Sequence, residues 1–275
     1  MAKTERELVE SVKLADLVIE VMDARIPRSS SNPDFNRIFS GRRRLIALNK
    51  ADLADPARSD KWKRDFRKNG AEAVFTNSNK GDGLINIRSL LREASTEKTR
   101  KLAGRGVMSR PLRVIVAGIP NSGKSTLINS LAARPAAKTG DRPGITRSRQ
   151  WIAVGRGVEL LDTPGVLWPK FEDEMIALHL AITGAIKDDV YDATDVAEKL
   201  LAALCDGYPG LVTGRYGDIM AQGGAAQSPY PLLERTGRRR GFLIKGGEID
   251  LARAAAVVLD EFRAAKIGRI TLEEP

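Results

Sequence analysis

The run Gly118-Ile-Pro-Asn-Ser-Gly-Lys-Ser125 has the spacing G-x-x-x-x-G-K-[ST]. It lies between the apolar stretch Leu112–Ala117 and the helical stretch Thr126-Leu-Ile-Asn-Ser-Leu131. A strand that turns through such a loop into a helix is the context this motif needs, and it commits the chain to an α/β arrangement. The backbone N–H groups of the loop and the helix N-terminus make a nest for the α- and β-phosphates of a nucleotide. Lys124 supplies positive charge near the β- and γ-phosphates, and the Ser125 hydroxyl suits Mg²⁺. The competing reading is a Gly-rich turn that only starts a helix, and the order strand, loop, helix argues against it.

Four further apolar runs read as buried parallel strands: 17–23, 45–49, 73–76 and 158–162. Helical stretches at 57–69, 83–94 and 124–133 alternate with them, and ligands of such sheets sit at the carboxyl ends of the strands. Asp162-Thr-Pro-Gly165 follows one strand; its Asp162 is placed to reach the metal and the Gly165 N–H to reach a γ-phosphate. Between the two phosphate motifs, Arg142-Pro-Gly-Ile-Thr146 offers Thr146 as a further metal ligand. Asn49-Lys-Ala-Asp52 ends another strand. A carboxylate there accepts both N1–H and the 2-amino group of guanine, a donor pair adenine lacks. Asn77-Ser-Asn-Lys80, after the next strand, offers backbone and hydroxyl contacts to the base. The expected nucleotide set is therefore Asn49, Lys50, Ala51, Asp52, Asn77, Ser78, Asn121, Ser122, Gly123, Lys124, Ser125, Thr126 and Gly165, with Ser125, Thr146 and Asp162 on Mg²⁺. GTP is the expected ligand.

The motif order is permuted. Guanine motifs at 49–52 and 77–80 precede the phosphate motifs at 118–165, the reverse of an ordinary GTPase, so the same sheet must be closed by joining the old ends through 96–111. Beyond about residue 170 the texture becomes Ala- and Leu-rich, with helices expected at 174–186, 196–205 and 249–265 and a long connection at 208–231. The fold expected is a circularly permuted P-loop domain over 1–172 with a smaller all-helical domain over 173–275.

Composition narrows the setting. One Cys and one His exclude a disulfide framework and a Cys/His zinc cluster. No leader and no 18-residue apolar run is visible, so a cytoplasmic protein without a membrane partner is expected. The chain carries a net +10, with a pI near 9.8, which points to a polyanionic partner. The excess is local: residues 1–175 hold 33 Lys and Arg against 21 Asp and Glu, whereas 176–275 hold 12 against 14. The dense parts are Arg42–Arg44, the segment Lys98–Arg113 and the stretch Arg134–Arg149, and in the helical domain Arg235–Arg240 with Lys245 crowd what reads as a loop. Phosphate contacts of this kind give salt-sensitive, largely sequence-independent attraction to RNA.

Asp23-Ala-Arg-Ile-Pro27, Asn49–Asp52, Gly118–Asn129, Lys138–Thr146, Leu161–Lys170 and Ala181–Ile186 together resemble circularly permuted GTPases of ribosome assembly, of the YlqF type. The resemblance covers about residues 14–190. It implies a monomeric factor that binds a late precursor of the large (50S) ribosomal subunit and its rRNA in the GTP form and leaves after hydrolysis. It also implies slow turnover alone, stimulated by the subunit and by K⁺ held partly by Asn121. Val166 stands where many GTPases carry a water-orienting Gln, as this family does. The family's N-terminal catalytic His would precede Met1, so an upstream start is expected, or else a protein without that group, and no catalytic residue is assigned. His179, in a helical stretch, is expected to be a packing residue. The alternative of a different class is a GTP-controlled RNA-binding module with little or no hydrolysis.

Overall fold

The computed structural model describes residues 2–108, 110–133, 151–155, 157–168, 173–220 and 230–275. The chain forms two compact units, one of residues 1–172 with 273–275 and one of 173–272.

The first unit is built on a six-stranded sheet. Its strands are β1 (Leu17–Asp23), β2 (Arg43–Asn49), β3 (Glu72–Phe75), β4 (Leu112–Ala117), β5 (Trp151–Ala153) and β6 (Val158–Asp162), in the order β3-β2-β1-β4-β6-β5. All neighbours are parallel except β5, which runs antiparallel to β6 at the edge. Strands β1, β2 and β4 are apolar on both faces because helices cover both. One face packs Leu17, Ile19, Val21, Val114 and Val116 against Ile87, Leu91, Leu127 and Ile128; the other packs Val18, Ile115, Ala117 and Leu161 against Leu8, Val12, Phe35 and Phe39.

The first unit's helices are α1 (Ala2–Lys13), α2 (Asp34–Ile38), α3 (Pro56–Lys68), α4 (Leu84–Ala103) and α5 (Lys124–Ala132). Helix α3 starts where the sequence gives a start signal: Asp55 accepts the Ala57 N–H at 2.8 Å and Pro56 occupies the first turn. Helix α4 runs nine residues past the expected 83–94, so much of the joining segment is helix and not loop. Three basic residues of this segment are paired: Lys98 meets Asp16 at 2.8 Å, Lys101 meets Glu97 at 2.6 Å, and Arg110, beyond the helix, reaches Asp16 at 3.1 Å. Asp16 is partly buried, which works against its ionisation, but Lys98 and Arg110 hold its carboxyl below the usual range.

The second unit comprises α6 (Glu174–Ile182), a 3₁₀ turn at Asp188–Val190, α7 (Ala193–Gly207), α8 (Pro209–Tyr216), α9 (Pro231–Arg239) and α10 (Leu251–Arg263). Its core packs Leu200, Leu201 and Leu204 of α7 against Leu233 of α9 and Ala255, Val258 and Phe262 of α10. The expected connection 208–231 contains α8, whose Pro209 fits a first helical turn; residues 221–229 lie outside the described residues. The helix expected over 174–186 stops at Ile182, because Gly184 takes φ +75. His179 is buried on α6, in the second unit. The helical domain does not keep 273–275, which return to the first unit.

The basic cluster placed in a loop lies mostly on α9. Arg235 donates to the Ile219 carbonyl at 3.0 Å, Arg239 to the Asp218 carbonyl at 3.1 Å, and Arg240 pairs with Glu261 at 2.8 Å. Arg238, paired with Glu234 at 3.1 Å, keeps 71% of its side chain in solvent. The Arg42–Arg44 run is also partly spent: Arg43 pairs with Glu72 at 3.1 Å and Arg44 with the buried Glu20. Burial pushes Glu20 up and Arg44 pulls it back, with a net rise. No helix among the described residues is long and apolar enough to cross a membrane.

Candidate nucleotide site

Every motif sits at the carboxyl end of a parallel strand: Asp23 at the end of β1, Asn49 at the end of β2, Asn77 after β3, Gly118 after β4 and Asp162 at the end of β6. Sheet order therefore gathers segments far apart in sequence along one edge.

The loop after β4 turns tightly. Gly118 has φ +153, and a Cβ there would stand 2.3 Å from the Val21 carbonyl oxygen of the neighbouring strand. Gly123, at φ +93, leads into α5, and a Cβ on it would meet the Asn49 amide at 2.2 Å. Asn121 also takes a left-handed conformation, φ +56, which Asn tolerates better than most residues. Lys124 is buried at the start of α5 and donates to the Ile119 carbonyl at 2.8 Å. Burial, with Lys50 adding to it, lowers its amine to about 8 although Asp162 pulls the other way. An amine so desolvated, in a nest of backbone N–H groups, is relieved by phosphate oxygens.

The Ser125 hydroxyl donates to the Asp162 carboxylate at 2.8 Å. A hydroxyl and a carboxylate side by side below the phosphate loop are the hard oxygen donors Mg²⁺ takes, so these two residues fit the ion. Thr146, the third expected ligand, lies outside the described residues, as does the basic stretch 134–149. Gly165 approaches so closely that a Cβ would stand 2.7 Å from Pro120 Cα and 3.0 Å from Lys124 Nζ. After it, Val166 is buried; its N–H donates to the Gly118 carbonyl at 3.2 Å and its carbonyl accepts the Asn32 amide at 3.3 Å.

The guanine motif divides its labour. Buried Asn49 donates to the Ser122 carbonyl at 2.9 Å and accepts the Ser78 N–H at 3.1 Å and the Ser78 hydroxyl at 2.7 Å. Ser78 in turn accepts the Ser130 hydroxyl on its carbonyl at 2.6 Å, and Asn77 accepts the N–H groups of Asn79 and Lys80 at 3.1 Å. The loop 77–80, expected to contact the base, thus spends these groups on orienting Asn49 and closing its own turn. The Ala51 N–H donates to the Thr76 carbonyl at 3.0 Å, joining the two guanine loops. Among the described residues the partly exposed Asp52 carboxylate takes no hydrogen bond.

Sequence reasoning missed one support. Lys50 adopts φ +59, an uncommon conformation for a long side chain, and its amine lies 3.1 Å from the Asp23 carboxylate. Asp23 is also gripped by Arg25 through two side-chain bonds of 2.9 and 2.7 Å, with both side chains 2% exposed. Burial works against the charge on Asp23, but Arg25 and Lys50 hold its carboxyl far below the usual range. The signal was available in Asp23-Ala-Arg25 at a strand end, an acid and a base where an apolar run stops.

Comparison with known proteins agrees with this geometry. A family pattern described as "50S ribosome-binding GTPase" matches residues 113–204. The chain is 45% identical over its whole length to "Ribosome biogenesis GTPase A" of Bacillus licheniformis, covering 96% of that protein, and 31% identical to the same-named protein of Thermotoga maritima over 99% of this chain and 91% of that one. Among solved structures, a GDP-bound YlqF is 28% identical with a TM-score of 0.70, covering 98% of this chain and 99% of that one. A GNP-bound YlqF from T. maritima is 28% identical with a TM-score of 0.68, covering 99% and 98%. Identity at this level across the full length, on a sheet with permuted motif order, shows that the chain belongs to the ribosome biogenesis GTPase A family of circularly permuted GTPases.

Proposed function

We propose that this protein is a GTP hydrolase that promotes late assembly of the large (50S) ribosomal subunit, binding the precursor and its rRNA with GTP and leaving after hydrolysis. The observation that carries the reading is the full-length identity to a relative named for ribosome biogenesis, on a chain whose motif residues gather at the carboxyl ends of the strands along one sheet edge. Lys124 and the loop N–H groups hold the phosphates, Asp52 reads guanine, and Gly165 senses the γ-phosphate. Mg²⁺, held by Ser125 and Asp162, neutralises phosphate charge when bound, with Thr146 as its further ligand; K⁺ acts as an activator at Asn121. The protein works as a monomer in the cytoplasm.

Slow turnover alone is part of this reading. Val166 is apolar and buried, and both its backbone groups are engaged, so it orients no water. The same observation favours the second reading, a GTP-controlled RNA-binding module with little hydrolysis. GTP turnover with purified large subunits, small subunits or neither, in potassium and in sodium, separates the two. Stimulation by large subunits alone supports assembly of that subunit. Tight GTP binding without turnover in any condition supports the module.

A further inference from the structure

The last three residues belong to the first unit, although the chain reaches them directly from the helical one. Glu273 is buried, and its carboxylate accepts the N–H of Arg28 at 2.6 Å, the N–H of Ser29 at 3.0 Å and the Ser29 hydroxyl. Its carbonyl accepts the Trp62 indole N–H at 3.2 Å. Glu274 meets Arg58 and Lys61, each at 3.0 Å. Charge-assisted bonds to backbone N–H groups hold Glu273 in place.

The loop that Glu273 grips also serves both nucleotide motifs. At its start Asp23 holds Lys50 at 3.1 Å, and the Ala24 N–H donates to the Asn49 carbonyl at 2.9 Å. At its far end Asn32 donates to the carbonyl of Val166, the residue after Gly165, at 3.3 Å. The Asp23 N–H to the Ser30 hydroxyl at 3.0 Å and the Ser30 N–H to the Ile26 carbonyl at 2.9 Å close the loop on itself. Residues 28 and 29 therefore stand between the guanine motif and the γ-phosphate sensor. On the other side of the strap, within the helical unit, Thr271 is fully buried and both its backbone groups bond the Tyr208 hydroxyl, at 3.0 and 3.1 Å. Only Leu272 separates the two anchored residues.

We propose that Glu273 is a positioning residue for the nucleotide site and that residues 273–275 are the strap through which the nucleotide state reaches the helical unit. Here Lys124 donates to the Ile119 carbonyl, and Gly165 lies against Pro120. Because a Cβ on Gly165 would already stand 3.0 Å from Lys124 Nζ, a γ-phosphate held between Lys124 and the Gly165 N–H must displace residues 165–166, and with them the Val166 carbonyl that Asn32 holds. Loop 23–32 then relaxes its hold on Glu273, so the strap is seated with GDP and released with GTP. This coupling rests on the GTP-switch reading of the site and needs no ribosome.

Hydrogen exchange on the full chain, with GDP or a non-hydrolysable GTP analogue and Mg²⁺, tests it, alongside a titration of each nucleotide. In the wild type, peptides covering 26–32 and 268–275 exchange at least about three-fold faster with the GTP analogue than with GDP. In Glu273→Ala both exchange fast and at a rate independent of nucleotide, while β1 and β4 keep wild-type protection. Glu273→Gln, which retains one carbonyl acceptor, restores part of the difference. Equal wild-type exchange in the two states overturns the proposal, as does a difference that survives Glu273→Ala; if that variant does not fold, the wild-type comparison alone decides. Absent GTP binding in the titration overturns the GTP-switch reading as well, whereas intact binding with equal exchange overturns the strap alone.

Discussion

The side-chain amide of Asn49 donates to the backbone carbonyl of Ser122 at 2.9 Å, tying the guanine motif to the phosphate loop across 73 residues of sequence. The two motif loops are thus one hydrogen-bonded structure. Asn49→Ala removes this tie and leaves the Ser122 carbonyl and the Ser78 N–H without their partner. A loss of about 1–3 kcal/mol in stability is expected, with weaker binding of GDP and GTP alike. Thermal melting and titration with a fluorescent guanine nucleotide check both.

The role proposed for Asp52 is to read guanine through two donors, and inosine lacks one of them. The wild type is expected to prefer GTP over ITP by about 10–100-fold, the worth of one charged hydrogen bond. Asp52→Ala erases that preference and weakens both nucleotides. Competition binding against a labelled GDP decides; an unchanged ratio in the variant removes Asp52 from the base site.

At Gly165 a methyl group would stand 2.7 Å from Pro120 Cα and 3.0 Å from the Lys124 amine. Gly165→Ala must push the segment off the phosphate loop. GDP affinity should stay within a few-fold, while the discrimination between GDP and a GTP analogue collapses. Parallel titrations with the two nucleotides measure it.

Proton uptake follows from Lys124, whose amine titrates near 8. Phosphate oxygens favour the charged amine, so its value rises on binding and the complex takes up a proton once the pH exceeds about 8. Nucleotide affinity therefore falls as pH rises from about 8 toward the value of the bound form. Calorimetry at pH 9 in two buffers of different ionisation enthalpy reads the uptake directly, and Lys124→Met abolishes it.

Asp23 gives an acid limb to stability. Its carboxyl is held far below the ordinary value of 3.8, so the stability it contributes is present above that value and is lost as pH falls below it toward the lowered one. Asp23→Asn leaves the buried Arg25 without its carboxylate, at a cost of about 3–5 kcal/mol, and flattens the acid limb. Denaturant unfolding between pH 2 and 7 tests both parts.

Local pattern carried much of the fold. Helix α3 was legible to a residue or so because Asp55 and Pro56 mark its start, and each of the five core strands was visible as an apolar run. What failed was local too weak or too ambiguous to read. Helix α8 hides behind Gly210 and Gly214, and β5 is three residues long. The Arg235–Arg240 run looked like a loop because charge masks the α9 stripe, where Leu233 and Thr236 are buried one turn apart. Its arginines then found carbonyls and Glu261, a distribution of partners that composition cannot show.

The sequence by itself determined which motifs stand at strand ends, because a phosphate loop or a guanine motif needs particular residue types at a fixed local spacing. Tertiary structure alone decided that Asn49 orients the phosphate loop, that Asp23 clamps both Arg25 and Lys50, and that Glu273 returns 244 residues along the chain to hold Ser29. The physical reason is separation: local spacing sets a loop's own conformation. Contacts across tens or hundreds of residues depend on which strand ends the sheet order places side by side.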